Sequence, residues 1–347
     1  MADSTQLRRV LAVCHDAGAA ALIGALASTH RHTLDWRLMS VPGAPAWGEF
    51  QRRGLGERLW DGDQLGDSSA RWDEFNPDLL LFGTGWQRQL QDPWLALARV
   101  RGVPSLALLD HWVNYRERFG YPAPHWRERL PEHIGVGDPW ARSLAQDLAL
   151  PGLVSLRNPH FQELLNQFQA QRRLGAGENR LLLLTEPTSK AALARFGVAD
   201  YWGFTEADFL SSVLGNLDAF GVESLTLRLH PSDDASVYQS ILSRHTALPW
   251  ELERVAERSL GASLARCRWV LGPDSFALFA AYLVGLPALC YLPGGRRTCK
   301  IPLPAANQVT RLEGLDLARL EQLPDPAPLL RFGLELPEWV QTLPSYR

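Results

Sequence analysis

Two strand ends hold the residues with the clearest capacity for chemistry. The apolar run Ser224-Leu225-Thr226-Leu227 stops at Arg228-Leu229-His230-Pro231, and further along Trp269-Val270-Leu271 stops at Gly272-Pro273-Asp274-Ser275, ahead of an apolar stretch of helical character. Arg228 and His230 lie two residues apart, on one face of a strand, and Pro231 ends that strand abruptly. Both can give charge-assisted hydrogen bonds to a phosphate. Ser275 adds a hydroxyl at a helix N-terminus, where unpaired N–H groups and the macrodipole favour an anion. Asp274 and Ser275 are equally an ordinary capping pair. Taken together, the two strand ends read as one anion site beyond the carboxyl edge of a parallel sheet. Thr185-Glu186-Pro187-Thr188 ends a further strand, and Glu186 suits a ribose hydroxyl or a base, or a plain turn. Pro293-Gly294-Gly295-Arg296-Arg297-Thr298 is a basic, flexible loop that could close over a charged ligand or simply be solvated.

The first half offers a second set. His15-Asp16-Ala17-Gly18-Ala19-Ala20 follows a strand and opens a small-residue helix, so backbone there can approach a ligand closely. Asp16 is a candidate general base toward a hydroxyl, or an N-cap with Gly18 serving tight packing. Gly83-Thr84-Gly85-Trp86 is a ligand loop or a turn. Leu109 to Phe119 brings Asp110, His111, Trp112, Tyr115, Arg116 and Arg118 into one short window: an acid, stacking surfaces and anion donors, or a structural ion-pair cluster with Trp112 and Tyr115 buried. Asp110 is the second candidate base. His30-x-His32 has only Asp35 nearby and does not demand a metal.

Short apolar runs alternating with segments of helical period position these groups, and that alternation denotes parallel sheets with crossover helices. Strands are expected near Val10–His15, Trp36–Val41, Leu79–Phe82, Ser105–Asp110, His133–Val136 and Leu153–Leu156, then near Arg180–Thr185, Ser224–His230, Trp269–Gly272 and Pro287–Tyr291. Helices are expected near Ala19–Ser28, Trp94–Arg101, Trp140–Leu148, Glu206–Leu217, Ser236–Arg244, Leu260–Cys267 and Ser275–Val284. The spacing divides the chain into an N-terminal Rossmann-like domain over 1–160, a helical linker over 161–177, a C-terminal Rossmann-like domain over 178–320, and a tail over 321–347 expected to pack across the domains. Pro42–Trp72, rich in Gly and polar residues, reads as a long irregular insertion.

At 347 residues the chain exceeds what one core usually supports, roughly 250–300 residues. Apolar content of 46% with 21% charged residues is that of a globular protein and not of a disordered one. A net charge of −3 argues against a dedicated nucleic-acid binder. Cys14, Cys267, Cys290 and Cys299 show no paired or zinc-like spacing, which fits a reducing, cytoplasmic setting. Neither a signal-peptide core nor a membrane-length apolar run is present in the sequence.

Two Rossmann-like halves facing a central cleft, Arg-x-His-Pro at one strand end and Gly-Pro-Asp-Ser opening a later helix resemble the GT-B glycosyltransferases, and within them the bacterial sialyltransferase-like enzymes. That resemblance implies an α/β GT-B fold and transfer of a sialic-acid-like nonulosonic sugar from CMP to a hydroxyl of a surface glycan or glycoprotein. The reaction would be inverting, with no metal and no cofactor. His230-Pro231 and Ser275, with Arg228, Gly272, Asp274 and Glu186, would hold the donor. Asp16 or Asp110 would act as base, and His15, Gly18, His111, Trp112, Tyr115, Arg116 and Arg118 would take the acceptor or the sugar. The domains would close about Pro159–Ala176 to exclude water. The stretch Gly272–Pro287 also resembles the non-hydrolysing UDP-N-acetylglucosamine 2-epimerases and UDP-sugar transferases, which share the fold. A nucleotide-sugar-binding module without turnover is the non-enzymatic alternative.

Overall fold

The computed structural model describes residues 7–63, 68–85, 88–175, 178–245 and 248–344; Trp86, Ala176 and Gly177 lie outside them. Two compact units divide the chain, the first from the N-terminus to His160 together with Ala327 onward, the second from Phe161 to Pro326.

The first unit holds a seven-stranded parallel sheet. Its strands are β1 (Arg8–Val13), β2 (Leu34–Ser40), β3 (Leu59–Asp61), β4 (Leu79–Gly83), β5 (Ser105–Leu109), β6 (His133–Val136) and β7 (Leu153–Ser155). Helices α1 (Ala17–Thr29), α2 (Pro45–Arg52), α3 (Ser68–Phe75), α4 (Asp92–Arg101) and α5 (Pro139–Asp147) alternate with them. The order is β3-β2-β1-β4-β5-β6-β7, so the winding reverses between β1 and β4. β4 and β5 are buried at every residue, the expected consequence of helices covering both faces of a parallel sheet. Caps and stops are local. The Asp138 carboxylate accepts from Ala141 N at 2.7 Å with Pro139 in the first helical position of α5, and Gly102, at φ 68°, ends α4.

Helix α6 (Pro159–Leu174) leads into the second unit, where Phe161 packs on Phe276 and Phe279. There α7 (Thr188–Phe196), α8 (Glu206–Leu214), α9 (Ala235–Leu242), α10 (Leu260–Ala265) and α11 (Phe276–Leu283) alternate with β8 (Arg180–Leu184), β9 (Ser224–Arg228), β10 (Trp250–Glu253), β11 (Trp269–Gly272), β12 (Ala288–Tyr291) and β13 (Gln308–Val309). The sheet order is β10-β9-β8-β11-β12-β13, with its reversal between β8 and β11. All of its paired strands run parallel.

Three expectations change. The insertion at 42–72 is not irregular: it contains α2, the short edge strand β3 and the start of α3. A three-residue strand is too short to show a period, which is why it escaped the pattern. The edge strands β10 and β13 and helix α7 were likewise not read, β10 because its polar residues alternate in a region without an apolar run. The tail is divided between the units, with residues up to Pro326 grouping with the second. From Ala327 it belongs with the first, where α12 (Ala327–Leu330) precedes α13 (Leu336–Thr342), and Leu336, Trp339 and Val340 join the core built on β1, β2 and α1. Glu335, at the N-cap of α13, meets both Arg157 and His30. Among the described residues no helix is long and apolar enough to cross a membrane.

Leu336 is fully buried in that core. Leu336→Ala should therefore cost about 2–5 kcal/mol, read as a lowered midpoint of chemical denaturation for the first unit, although the residue lies far from that unit in sequence.

Candidate functional site

In the second unit the winding reversal brings four strand ends to one edge: Thr185-Glu186 after β8, His230 after β9, Asp274-Ser275 after β11, and the loop bearing Arg297 after β12. Ligands of open α/β sheets collect at such a reversal. Asp233 organises the edge. Its Oδ2 accepts from the Thr185 hydroxyl, from Tyr238 Oη at 3.2 Å and from the His230 backbone N–H at 3.2 Å. Thr185 Oγ1 also accepts from His230 N at 2.9 Å.

The imidazole is oriented as well. Ser232 N donates to His230 Nδ1 at 3.1 Å, so the ring proton resides on Nε2. Burial lowers the His230 pKa against the opposing pull of Asp233. His230 is thus a neutral hydrogen-bond donor through Nε2, with a third of its side chain still exposed. That suits a phosphate oxygen. Glu186 Oε2 lies 4.0 Å from the same nitrogen, beside a small cavity bordered by Phe204, Phe209, Tyr238 and Pro273. Burial pushes its carboxyl up to about 8, with Arg297 opposing and Asp274 and Asp233 reinforcing. At neutral pH Glu186 therefore carries a proton and can donate.

Asp274 is buried and its Oδ1 lies 2.6 Å from the Arg297 guanidinium, which also sits 4.9 Å above the Trp202 ring. Ser275 is the N-cap residue of α11, yet its hydroxyl makes no capping bond and is buried without a hydrogen-bond partner. α11 is apolar apart from Tyr282 and brings no carboxylate of its own. An anion at this terminus would give the Ser275 hydroxyl the partner it lacks.

Two donor-side expectations are corrected. Arg228 does not face the edge: it is buried against Glu253, with its guanidinium also donating to Ser263 Oγ at 2.8 Å and to the Arg258 carbonyl at 3.1 Å. Its charge neutralises a carboxylate inside the domain. Gly272 serves packing, since a Cβ there would stand 2.8 Å from Leu184 Cβ on the neighbouring strand. Pro231 is exposed beyond the strand end.

In the first unit, the reversal between β1 and β4 gathers His15-Asp16, Thr84-Gly85 and Asp110. His15 Nδ1 lies 2.9 Å from Asp16 Oδ1, at a carboxylate about a third exposed. A Cβ at Gly85 would fall 1.9 Å from Asp16 Oδ2, and one at Gly18 2.2 Å from Asp110 Oδ2. Both glycines therefore make room for carboxylates. Arg118 holds Asp110 at 2.6 Å while donating to the Thr84 carbonyl and hydroxyl and to the Val113 carbonyl. It is a structural clamp. Trp112 is buried with its indole N–H on Asp138, and Tyr115 is buried, so neither is the acceptor surface that was expected. The window from Asp110 to Arg118 is mainly the ion-pair alternative. His111 accepts from Trp112 N through Nδ1 and is held neutral by burial, its pKa lowered to about 4. Arg116 is exposed and stacks on Tyr121 at 4.8 Å.

Asp233, Tyr238 and Asp138 were missed in the sequence. Asp138 had a legible signal, an acid followed by Pro ahead of a helical segment. Asp233 had only its place in a turn after His-Pro.

No family model matches the sequence, and no curated protein does. Solved structures do. A putative UDP-N-acetylglucosamine 2-epimerase from Listeria monocytogenes matches with a TM-score of 0.62 at 13% identity, over 94% of this chain and 88% of its own. S. aureus MnaA in complex with UDP gives 0.60 at 12%, over 93% and 90%. A UDP-GlcNAc 2-epimerase from Neisseria meningitidis bound to UDP-GlcNAc gives 0.58 at 12%, over 90% and 89%. The likeness shows the fold: two parallel-sheet α/β domains of the GT-B type.

Removing Arg228 leaves the buried Glu253 carboxylate to the part-exposed Arg258 and to Ser263. Arg228→Ala is expected to cost about 3 kcal/mol of stability, measured by denaturation without any ligand. For Glu186, the unfolded carboxyl titrates near its ordinary 4.5 and the folded one near 8. Across that window the native state holds a proton the unfolded chain has released, so stability falls as pH rises through it. Glu186→Gln should flatten the decline of melting temperature between about pH 5 and pH 8.

Proposed function

We propose that the protein is a nucleotide-sugar enzyme whose second unit holds a uridine-diphosphate sugar at the carboxyl edge of its sheet. The observation that carries this reading is the placing of His230, fixed as an Nε2 donor, and the partnerless Ser275 hydroxyl at the N-terminus of α11 on the strand ends either side of β8, beside the winding reversal. Arg297 brings a cation to the same edge. Such preorganised donors favour the charge that develops on a diphosphate as the anomeric C–O bond breaks. Protonated Glu186 is suited to a ribose or phosphate oxygen. Asp16, oriented by His15, is the proposed base of the first unit, since Asp110 is committed to Arg118.

The choice of uridine over cytidine is supported by the fold comparisons, in which the Neisseria and Listeria structures are named UDP-GlcNAc 2-epimerases and the Neisseria and S. aureus structures carry UDP-GlcNAc and UDP. No comparison favours the CMP-nonulosonate donor that the sequence motifs suggested. Epimerisation of a UDP-N-acetylhexosamine is accordingly the leading reaction. Transfer of the hexose to an acceptor hydroxyl is the second reading, kept because Asp16 is a partly exposed carboxylate of the kind that deprotonates an acceptor.

UDP at about a hundred times its Kd should stabilise the protein by ~2.7 kcal/mol, seen as a raised melting temperature that CMP does not produce and that His230→Ala abolishes. Selective stabilisation by CMP would return the assignment to nonulosonate transfer. Incubation with UDP-GlcNAc alone then separates the reactions: formation of the 2-epimer marks an epimerase, and UDP release only on adding an acceptor marks a transferase.

A further inference from the structure

Helix α7 ends at Phe196, and Gly197, at φ 74°, turns the chain into the stretch 198–203. This corner of the second unit leaves large apolar side chains in solvent: Leu193 is 56% exposed, Val198 49% and Tyr201 48%. Phe196 stacks face to face on Tyr201 at 3.7 Å, and Trp202 meets both rings edge-on. Arg297 covers Trp202. The ring faces are thus taken up by one another and by a cation. A sugar-stacking platform needs an open face, so the corner presents ring edges and aliphatic chains instead.

Cations surround it. Arg195 lies over the Phe196 ring at 5.3 Å, Lys190 sits one turn before Leu193 on α7 and is exposed, and Arg296 packs at Gly203, where a Cβ would lie 3.2 Å from its Cδ. Between Thr188 and Thr205 the only acid is Asp200. A second copy of the chain is a poor occupant, because a two-fold contact would bring two positively edged patches together. Apolar side chains and a tyrosine, edged by Lys and Arg, match a surface with phosphate above and hydrocarbon below: the stems and rings enter the boundary while the charges stay at headgroup level.

We propose that the corner formed by Leu193, Phe196, Val198 and Tyr201, with Lys190, Arg195 and Arg296, docks the protein on an anionic phospholipid surface. The contact adjoins the nucleotide edge, whose Arg297 lies over Trp202 and whose His230 feels the Lys190 charge, but it does not depend on which sugar that edge takes.

The test is sedimentation of the full chain with vesicles of phosphatidylcholine and phosphatidylglycerol, against phosphatidylcholine alone. The protein should sediment with the anionic vesicles, less so at high salt. Leu193→Asp combined with Val198→Asp should weaken that binding by about tenfold or more at an unchanged melting temperature. Arg195→Gln combined with Arg296→Gln should remove the preference for phosphatidylglycerol. The proposal is overturned if the wild-type protein stays in the supernatant with both vesicle types, or if the variants sediment as it does. It is also overturned if the wild type self-associates without binding vesicles and the Asp variant is monomeric, which would make the corner a homotypic interface.

Discussion

Helices cover both faces of each sheet, and that single constraint governs where this protein can do chemistry. A strand buried on both sides has no room for polar side chains along its length, so β4, β5 and most of β8 are apolar or small throughout. In these strands the polar groups gather where the strands end. Because all strands in a sheet run parallel, their carboxyl ends share one edge, and the reversal in winding order opens a crevice there. His230, Glu186, Ser275 and Arg297 in the second unit, and Asp16 and Asp110 in the first, are where they are for that reason.

A second division separates charges used within the fold from those left at the edge. Arg228 and Arg118 look reactive in the sequence, yet each is matched internally, Arg228 with Glu253 and Arg118 with Asp110; Asp138 is likewise held by the Trp112 indole and a helix N–H. Buried charges need such partners, because leaving one unpaired costs more than pairing gains. His230 and Glu186 are different. Burial drives both toward their neutral forms, and the polar groups around them orient donors without cancelling them. An edge with two neutral donors and an Arg297 already balanced by Asp274 suits an anionic ligand that must be released again as well as bound.

Sequence legibility followed from the length of each signal. Continuous apolar runs announced β1, β4, β5, β8, β9, β11 and β12, with ends displaced by a residue or two, and α1, α4, α5 and α11 followed from periodicity and small residues. The short edge strands β3, β10 and β13 carried too few residues to show a period. His230 and Ser275 were legible at the edge because Pro231 and Gly272-Pro273 mark where strands must stop. Asp233 was not, since nothing in its neighbours tells that its carboxylate gathers Thr185, Tyr238 and the His230 backbone.

The sequence by itself determined the two parallel α/β units and the residues that stand at their strand ends, because burial pattern and turn residues are local properties of a chain. Only the tertiary structure decided which of those residues keep their polar atoms for a ligand. Arg228 and His230 are two residues apart and look equivalent, but Arg228 meets Glu253 from β10 and Ser263 from α10, while His230 has Nδ1 held by the Ser232 N–H and keeps Nε2 as a donor. Likewise the tail joins the first unit because Leu336 and Trp339 fill a core whose other walls come from the opposite end of the chain. Partners that are distant in sequence set the availability of a charge, and no local pattern encodes them.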